Sequence, residues 1–395
     1  MINAAPLAMF LTTFIALIAG YPVALTLAGV ALIFALIGTV FGIFNPSDLG
    51  FAAGRLFGLV TNQTLIAIPL FVFMGVTLEK TKIAESLLSD LSSLFGRSRS
   101  GLAATVILVG ALMAASTGIV GATVVTMSLM ALPVMLKAGY DARLATGTIS
   151  ATGTLGQIIP PSIALVLLGD VLSNAYQQAQ LNQGIFAPKS VSVGDLFAGA
   201  IVPGLCLVIL YLLYVYTNIL LSKSKIDSKQ ASDQKFNVFS LLASLAPPLL
   251  LIFAVLGSII LGYATPTEAA GIGAAGAILI GIATKRLEFS TIKAISESTL
   301  STTGMVFFIL IGASIFSLVF RGFGGDEQIQ GFFDAMPGGV TTALVVVMVV
   351  IFLLGFILDF IEITFVVVPI VGPVLLAMGV DPIWLGAIIA IDLQT

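Results

Sequence analysis

Long apolar runs separated by short polar breaks fill the chain from its first residues to its last. A run of about 20 apolar residues has the length of a helix that spans a bilayer. The apolar runs are 4–19, 23–42, 60–79, 102–136, 143–170, 194–221, 239–262, 268–284, 301–320, 339–378 and 383–395. The pattern predicts an all-α polytopic membrane protein.

Two of these runs are too long for one ordinary crossing. "STG" at 116–118 interrupts the run 102–136, and "GFILDFIEIT" at 355–364 interrupts the run 339–378. As helix, the arms of the first run would extend about 21 and 27 Å, less than the roughly 30 Å of a bilayer core. Each long run is therefore predicted to form a re-entrant hairpin with a polar tip.

Basic residues indicate the orientation of the chain. The long polar stretch 222–236 contains four lysines, and basic loops face the cytoplasm. A hairpin at 102–136 keeps the basic residues around it on the side of that loop, whereas a single crossing would place the loop outside. These residues are Lys80, Lys82, Arg97, Arg99, Lys137 and Arg143. This topology predicts a periplasmic N-terminus.

A short amphipathic stretch precedes each hairpin. Both stretches place apolar side chains on one helical face, a pattern typical of helices that lie along the membrane surface. In the first stretch these are Ile83, Leu87, Leu88, Leu91, Leu94 and Phe95, and in the second they are Ile329, Phe332, Phe333 and Met336.

The second half of the chain repeats the first at an offset of 240 residues. "LPVMLKAGYD" (132–141) aligns with "GPVLLAMGVD" (372–381), with Pro, Val, Leu, Gly and Asp in common. An odd number of crossings separates the two copies, so the second should be inverted. Inverted repeats with broken helices are typical of secondary transporters, whose sites lie at the repeat interface near the membrane midplane.

The break "ATGTLGQIIPPS" (151–162) is the strongest candidate for a binding site. Pro160 and Pro161 cannot continue a helix, and unpaired backbone groups in lipid need a polar partner. Thr152, Thr154 and Gln157 add polar side chains beside them. This cluster favours an ion or substrate site over a simple proline kink, which needs neither a second proline nor polar neighbours.

The repeat places a counterpart of this break at 391–402, of which the sequence contains only "IDLQT". We therefore expect either a truncated chain or a site that lacks half of its groups. Asp392 occupies the position equivalent to Thr152 and is a further candidate ligand.

Both hairpin tips also contain candidate ligands. Hydroxyl and carbonyl oxygens at the first tip, with Ser116 and Thr117, suit Na⁺, although small residues also mediate helix packing. Asp359 and Glu362 at the second tip are intramembrane carboxylates, which usually have a function. The alternative is that the second tip reaches water. "TPTEAAG" (265–271), by contrast, is explained by helix capping alone.

Composition excludes several classes of function. Charged residues make up 9% of the 395 residues, mean hydropathy is +1.16 and net charge is −3, which gives no case for nucleic acid. Histidine is absent and Cys206 is the sole cysteine, so His-based acid–base chemistry, an intramolecular disulfide and a multi-Cys metal site are excluded. No organic cofactor and no metal other than Na⁺ is expected. Among the possible functions of such a membrane protein, an enzymatic one has the least support.

The ordered motifs "GYPVALTLAG", "LIAIPLFVFMG", "LPVMLKAGYD", "IIPPS", "TPTEAAG" and "GVDPIWLG" resemble the large membrane (M) subunit of TRAP transporters, the tripartite ATP-independent periplasmic transporters. The resemblance covers essentially the whole chain. It implies an elevator-type architecture like that of the ion transporter superfamily, located in the bacterial inner membrane and coupled to Na⁺. It also implies a small membrane Q subunit and a periplasmic P subunit that delivers organic acids.

The family's pattern of site residues matches this chain only in part. Its hydroxyl-rich first tip, commonly Ser-Gly-Ser, corresponds to Thr117, Gly118 and Ile119, and a nearby aspartate corresponds to Thr123. The second proline pair would fall beyond Thr395. The sequence offers no membrane-embedded arginine that would clamp a carboxylate, so Na⁺ and helix ends are expected to balance the charge of an anion.

These considerations predict two sets of site residues. The predicted Na⁺ ligands are Ser116, Thr117, Gly118, Gly153, Thr154, Gly355, Asp359 and Asp392. The predicted substrate-binding residues are Thr152, Gln157, Pro160, Pro161, Glu362, Gln394 and Thr395.

The predicted domain organisation follows the repeat. Its parts are scaffold helices (1–59), a third span with the first arm helix (60–101), a first transport half (102–221), a cytoplasmic loop (222–238), further scaffold helices (239–300), a span with the second arm (301–338) and a second transport half (339–395). Na⁺-coupled transport of a small organic anion is the predicted function. A stand-alone transporter without a binding protein, or a channel, is the alternative.

Overall fold

The computed structural model describes residues 4–83, 86–88, 90–91, 100–117, 120–221 and 238–394, and every regular element in these ranges is helical. The helices of the first half are α1 (Ala5–Ile18), α2 (Val23–Val40), α3 (Phe51–Thr61), α4 (Ala67–Lys80), α5 (Gly101–Thr117), α6 (Val120–Lys137), α7 (Ala142–Thr154), α8 (Ile163–Asn182) and α9 (Val193–Leu221). The loop 222–236 lies outside the described residues.

The second half follows the same plan. Its helices are α10 (Val238–Ile260), α11 (Pro266–Ala283), α12 (Phe289–Gly322), α13 (Gly325–Asp334), α14 (Gly339–Gly355), α15 (Phe360–Ala377) and α16 (Pro382–Asp392). One stretch of α15, Ile363–Val367, is π-helical.

The 240-residue repeat extends to element boundaries. Helix α6 spans 120–137 and α15 spans 360–377, while α7 begins at 142 and α16 at 382. Between these helices, Gly139 (φ +85°) and Gly379 (φ +93°) both adopt the left-handed conformation that favours glycine. The repeat predicted from one short alignment is therefore present in the structure.

Each long apolar run contains two helices, as predicted for hairpins, and residues 118–119 between the first pair lie outside the described residues. In the first, α5 and α6 pack against each other and against α7. In the second, residues 356–359 separate α14 from α15, and 72% of α15 is buried inside the protein. The second arm of this hairpin thus faces other helices along most of its length.

Three helical segments extend beyond the predicted apolar runs. Helix α3 precedes the predicted start of the third span and joins α4 at a bend of 55°. Helix α12 begins 12 residues before the run 301–320, and α8 continues to Asn182. These extensions contain charged or amide side chains, so a search for continuous apolar residues ends too early.

The two arm stretches also pack on protein. Ile83, Leu87, Leu88 and Leu91 are buried in the main core, whereas Leu94 and Phe95 lie outside the described residues. In α13, Phe333 is buried and Phe332 is exposed. The sequence pattern predicted helices along the membrane surface, and the structure adds that neighbouring helices cover the buried positions.

The described helices are those of a multi-pass membrane protein. Five of them are long and apolar enough to cross a bilayer, and a sixth crossing results if the bent pair of α3 and α4 counts as one. Large apolar side chains such as Val40, Leu221 and Tyr263 are each 83% exposed. An apolar exterior of this extent fits a lipid environment.

The N-terminus of α11 contains the capping box that the sequence predicts. The Thr265 hydroxyl accepts a hydrogen bond from the Glu268 backbone N–H at 3.3 Å, and the Glu268 carboxylate accepts one from the Thr265 N–H at 2.8 Å. Both side chains are exposed, so this box caps a helix without closing a site.

The two repeats are joined through α8 and α15, which pack along each other. The Gln183 side-chain amide, just beyond α8, donates a hydrogen bond of 2.8 Å to the Ala377 carbonyl at the end of α15. Ala175 lies close enough to Gly372 that a methyl group there would be 3.3 Å from its Cβ. The first broken crossing and the second hairpin therefore share one interface.

Helices α2 and α12 pack closely because Gly312 lies against the backbone of α2. A methyl group at Gly312 would lie 2.4 Å from the Ala24 carbonyl oxygen, and backbone cannot rotate away as a side chain can. We expect Gly312→Ala to lower the free energy of unfolding by about 1–3 kcal/mol, measured by thermal unfolding in detergent.

Gly304→Ala is the matched control, since Gly304 lies in the same helix with no atom within 4 Å of a new methyl group. It should be neutral, or stabilising by up to about 1 kcal/mol. Equal effects of the two substitutions would contradict the close approach of α2 and α12.

Candidate functional site

The broken crossing between α7 and α8 is the centre of the candidate site. After α7 the chain makes a 3₁₀ turn at Leu155–Gln157 and then passes through a cis Pro160–Pro161 peptide bond. Ser162 begins α8, and its hydroxyl accepts a hydrogen bond from the Leu165 backbone N–H at 3.4 Å. The helix break predicted from the two prolines is thus present, and it is buried inside the protein.

Most polar side chains in this break are satisfied locally. The Thr152 hydroxyl donates to the Thr148 carbonyl at 2.5 Å, and the Ser162 hydroxyl donates to the Gln157 carbonyl at 2.9 Å. The side-chain oxygen of Gln157 is different, because it is buried without a hydrogen-bond partner among the described residues. A buried, unpaired carbonyl oxygen is costly and calls for a ligand.

Small residues allow the break to lie between the two arms of the first hairpin. A methyl group at Gly153 would be 2.3 Å from Val124 Cγ2 in α6, and one at Gly156 would be 2.9 Å from the Ala114 carbonyl oxygen in α5. The structure therefore places the break, with the predicted Na⁺ ligand Gly153 and the predicted substrate-binding residue Gln157, against the first hairpin.

The second tip is closed by its own acidic residues. The Asp359 carboxylate accepts a hydrogen bond from the Phe360 backbone N–H at 2.8 Å, and Glu362 accepts one from the Asp359 N–H at 2.6 Å. Glu362 is only 7% exposed, whereas Asp359 is exposed. Each acid thus contributes to the N-terminal cap of α15, a role that the sequence analysis did not assign to them.

Thr364 is a candidate ligand that the sequence analysis missed. It lies in the π-helical stretch of α15, is fully buried, and its hydroxyl has no partner among the described residues. Single π-helical turns are frequent at functional sites. The sequence signal was weak, since a lone threonine in an apolar arm resembles a packing residue.

The two hairpin tips meet at one small cavity of about 60 Å³. Gly121 comes from the first hairpin, Asp359 from the second, and Ile163 from the first turn after the break. Thr302 of α12 lines the same cavity. The predicted elements of the site, which are far apart in sequence, are therefore adjacent in the fold.

Other predicted residues lie further from this point or cannot be placed. Gly355 ends α14, and the half-buried Asp392 ends α16. The Gln394 side chain is buried with neither its nitrogen nor its oxygen paired among the described residues. Gly118, Ile119 and Thr395 lie outside the described residues, as do the side chains of Ser116 and Thr117.

A second, larger cavity of about 380 Å³ lies between α3, α8, α12 and α15. Two arginines, Arg55 and Arg321, line it together with Asp170. Two arginines therefore lie on helices that adjoin the predicted spans, although the sequence analysis found none within the spans. Arg55 precedes the run 60–79 and Arg321 follows the run 301–320 by one residue, so both fell outside the predicted spans.

An ion pair at the edge of this cavity joins α12 to the arm helix α13. Arg321 Nε lies 3.2 Å from Asp326 Oδ2. Burial raises the pKa of Asp326, while the neighbouring guanidinium groups of Arg321 and Arg55 act in the opposite direction. On the opposite side, the Asn62 side-chain amide donates to Asp170 Oδ1 at 2.9 Å.

Comparison with known proteins identifies the family. The family model for the "Tripartite ATP-independent periplasmic transporter, DctM component" matches residues 10–395. Among similar proteins, the C4-dicarboxylate TRAP transporter large permease DctM of Pseudomonas aeruginosa is 28% identical over 89% of this chain and 78% of its own length. The sialic acid permease SiaM of Vibrio cholerae is 26% identical over 96% and 83% of the two chains.

Solved structures share the fold at lower sequence identity. The YdaH transporter of Alcanivorax borkumensis superposes with a TM-score of 0.64 at 16% identity, over 89% of this chain and 78% of that one. The all-α fold, the repeat with its two hairpins and the match along nearly the whole chain agree with one another, and the chain belongs to the DctM family of TRAP transporter large permeases.

Proposed function

We propose that this chain carries out Na⁺-coupled secondary transport of a small organic acid across the bacterial inner membrane. As a TRAP large permease it would work with a small membrane Q subunit and receive substrate from a periplasmic binding protein. The observation that supports this most is that residues next to both hairpin tips and the first residue of α8 line one cavity. Paired half-helices that converge in this way are how secondary transporters build their sites.

The relatives are permeases, and their names support the substrate class. They are described for C4-dicarboxylates in Pseudomonas aeruginosa, sialic acid in Vibrio cholerae and ectoine in Halomonas elongata. One relative, in Oleidesulfovibrio alaskensis, is an isethionate permease named DctMQ. These names favour a small organic acid and a Q partner for the present chain.

The polar groups at the site suit Na⁺ as the coupling ion. Na⁺ prefers neutral and carboxylate oxygens, and the described site offers the unpaired Gln157 side-chain oxygen and the Thr364 hydroxyl. Asp359 adds a carboxylate at the shared cavity. A cation bound at any one of these oxygens would favour the binding of an anion, so that substrate affinity depends on Na⁺.

The packing is compatible with an elevator motion. In this proposal α7, α8, both hairpins and α16 move as one body, since α8 packs on α15 and α16. The scaffold would consist of α1, α2, α10 and α11 with the span α12, which packs on α2. A substrate bound to this moving body would then be exposed to the two sides of the membrane in turn.

Transport assays in proteoliposomes test this proposal. The chain is reconstituted with its Q subunit and binding protein, and uptake of succinate, sialic acid and ectoine is measured against Na⁺ concentration. We expect Gln157→Leu and Thr364→Val each to raise the Na⁺ concentration for half-maximal uptake by roughly tenfold, the effect of about 1.4 kcal/mol of lost binding.

Thr217→Val is the matched control. The Thr217 hydroxyl is exposed and donates to the Leu213 and Tyr214 carbonyls of its own helix at 2.8 and 3.0 Å, so Na⁺ activation should not change. Unaltered Na⁺ activation in both site variants would overturn the site assignment. Uptake without the binding protein would instead favour a stand-alone transporter, and an ion current that substrate does not saturate would favour a channel.

A further inference from the structure

The cavity lined by Arg55 and Arg321 is distinct from the one between the hairpin tips. No residue lines both cavities. Its volume of about 380 Å³ lies within the range of small-molecule sites, whereas the cavity between the tips holds about 60 Å³. It therefore offers room for a ligand of several carbon atoms where the tips do not.

The two arginines of this cavity differ in their ion pairing. Arg321 pairs with Asp326, but Arg55 forms no ion pair within the part of the chain that the structure describes. The two guanidinium groups are close enough to repel each other, and Asp326 is the carboxylate that acts on both. Two cations thus share one carboxylate.

Asp170, the remaining acid of the cavity, has a neutral hydrogen-bond partner. Asp170 lies on α8 and is held by the Asn62 side-chain amide. No ion pair joins it to either arginine among the described residues. Arg55 and Arg321 together therefore form a positive side of the cavity.

Neutral polar groups complete the lining. Ser314 and Ser317 lie on α12, and Asn174 and Gln178 lie on α8. Hydroxyl and amide groups can donate to the oxygens of a carboxylate or a sugar, and guanidinium groups bind carboxylates in a bidentate manner. The combination fits a small organic anion with further polar groups.

The cavity lies toward the end of α12 that is remote from the lysine-rich loop. From that loop the chain passes through α10, back through α11 to Arg286, and forward through α12 to Arg321. Arg286 donates to the Thr81 and Lys82 carbonyls at 2.9 and 2.7 Å, which joins the basic ends of α4 and α11. With the loop in the cytoplasm, as the positive-inside rule requires, Arg321 lies on the periplasmic side.

We propose that Arg55 and Arg321 form an outer anion site, which captures the carboxylate of an incoming organic acid on the periplasmic side before the acid reaches the hairpin tips. The site itself depends only on the cavity and its charges, while its place in the transport path rests on the proposed function. Like-charged side chains in a confined cleft attract counter-ions and speed their arrival.

Charge-selective labelling tests the site without any transport assay. In a Cys206→Ser background, Ser317→Cys places a thiol in the cavity of the purified full-length chain. The rates of reaction with an anionic (sulfonatoethyl) and a cationic (trimethylammonioethyl) methanethiosulfonate are then compared. Tyr263→Cys, at an exposed position in the turn after α10, gives the reference ratio.

We expect the anionic-to-cationic ratio at position 317 to exceed the reference by about tenfold, since surface potentials of a few kT change local ion concentrations by this amount. Arg55→Gln should remove most of this excess, and Arg55→Lys should retain it. A ratio at position 317 equal to the reference would overturn the proposal even if Arg55→Gln failed to fold.

Protection by ligand separates this site from the one at the tips. Succinate, a C4-dicarboxylate, should slow labelling at position 317 with or without Na⁺, while the neutral succinamide should not. Equal protection by the two compounds would contradict an anion site. Charge-selective labelling in a chain whose uptake is independent of Na⁺ would leave the outer site in place and overturn only the proposed coupling.

Discussion

Replacement of Gly156 by alanine is expected to reduce substrate uptake in proteoliposomes at least tenfold. A methyl group at this position would lie 2.9 Å from the Ala114 carbonyl oxygen and 3.3 Å from the Ala114 Cα, both of which belong to the backbone of the first hairpin. Overpacking of this kind costs about 1–3 kcal/mol, and each 1.4 kcal/mol corresponds to tenfold in a rate or an affinity.

The methyl group would change the position of the first hairpin relative to the helix break. To accommodate the methyl group, α5 and the 3₁₀ turn must move apart, which displaces Gln157 from the tip side of the hairpin. We therefore expect a higher Na⁺ requirement together with the lower rate, as measured by uptake over a range of Na⁺ concentrations.

Gly147→Ala is the control for helix propensity, since Gly147 lies in α7 and a methyl group there would contact nothing within 4 Å. Its uptake should match that of the unaltered chain. Normal uptake by Gly156→Ala in correctly folded protein would show that the hairpin and the break are not in contact during transport.

Replacement of Glu362 by alanine is expected to have the second large effect, again a loss of uptake of about tenfold or more. Glu362 accepts the hydrogen bond from the Asp359 backbone N–H at 2.6 Å and is buried, so the alanine variant leaves a donor unpaired at the second tip. Such a donor costs about 1–3 kcal/mol. Hydrogen exchange at the start of α15 should increase in parallel.

Two controls separate capping from charge. Glutamine can replace glutamate in a capping box, so Glu362→Gln should keep most of the uptake. Glu268→Ala removes the matching acid from the exposed box at α11 and should lower stability only slightly, with uptake unchanged. A Glu362→Gln variant as inactive as Glu362→Ala would show that the negative charge, and not the cap, is required.

The sequence predicted the hairpins and the broken crossing because these features are local. The length of an apolar run, a proline pair and a repeated Gly-x-Asp motif can each be read without knowledge of the fold. The capping box at 359–362 has the same i, i+3 spacing as the one at 265–268. It could have been predicted from that spacing, but its carboxylates were interpreted only as candidate ligands.

The remaining features depend on tertiary packing. Arg55 and Arg321 belong to helices that are distant in sequence, and only the arrangement of α3, α8 and α12 around one cavity brings them together. The π-helical stretch that contains Thr364 has no recognisable pattern of residues. The burial of the first arm stretch also depends on which helices pack against it, and hydrophobic periodicity does not reveal those neighbours.

The interface between α8 and α15 is a seam between the two halves of the chain, and it determines which surface each half covers. Each half of the chain contributes one side of this seam, including the Gln183 amide on one side and the Ala377 carbonyl on the other. A protein made of a single half would have left that surface bare. Each half therefore covers a surface that the other could not bury by itself.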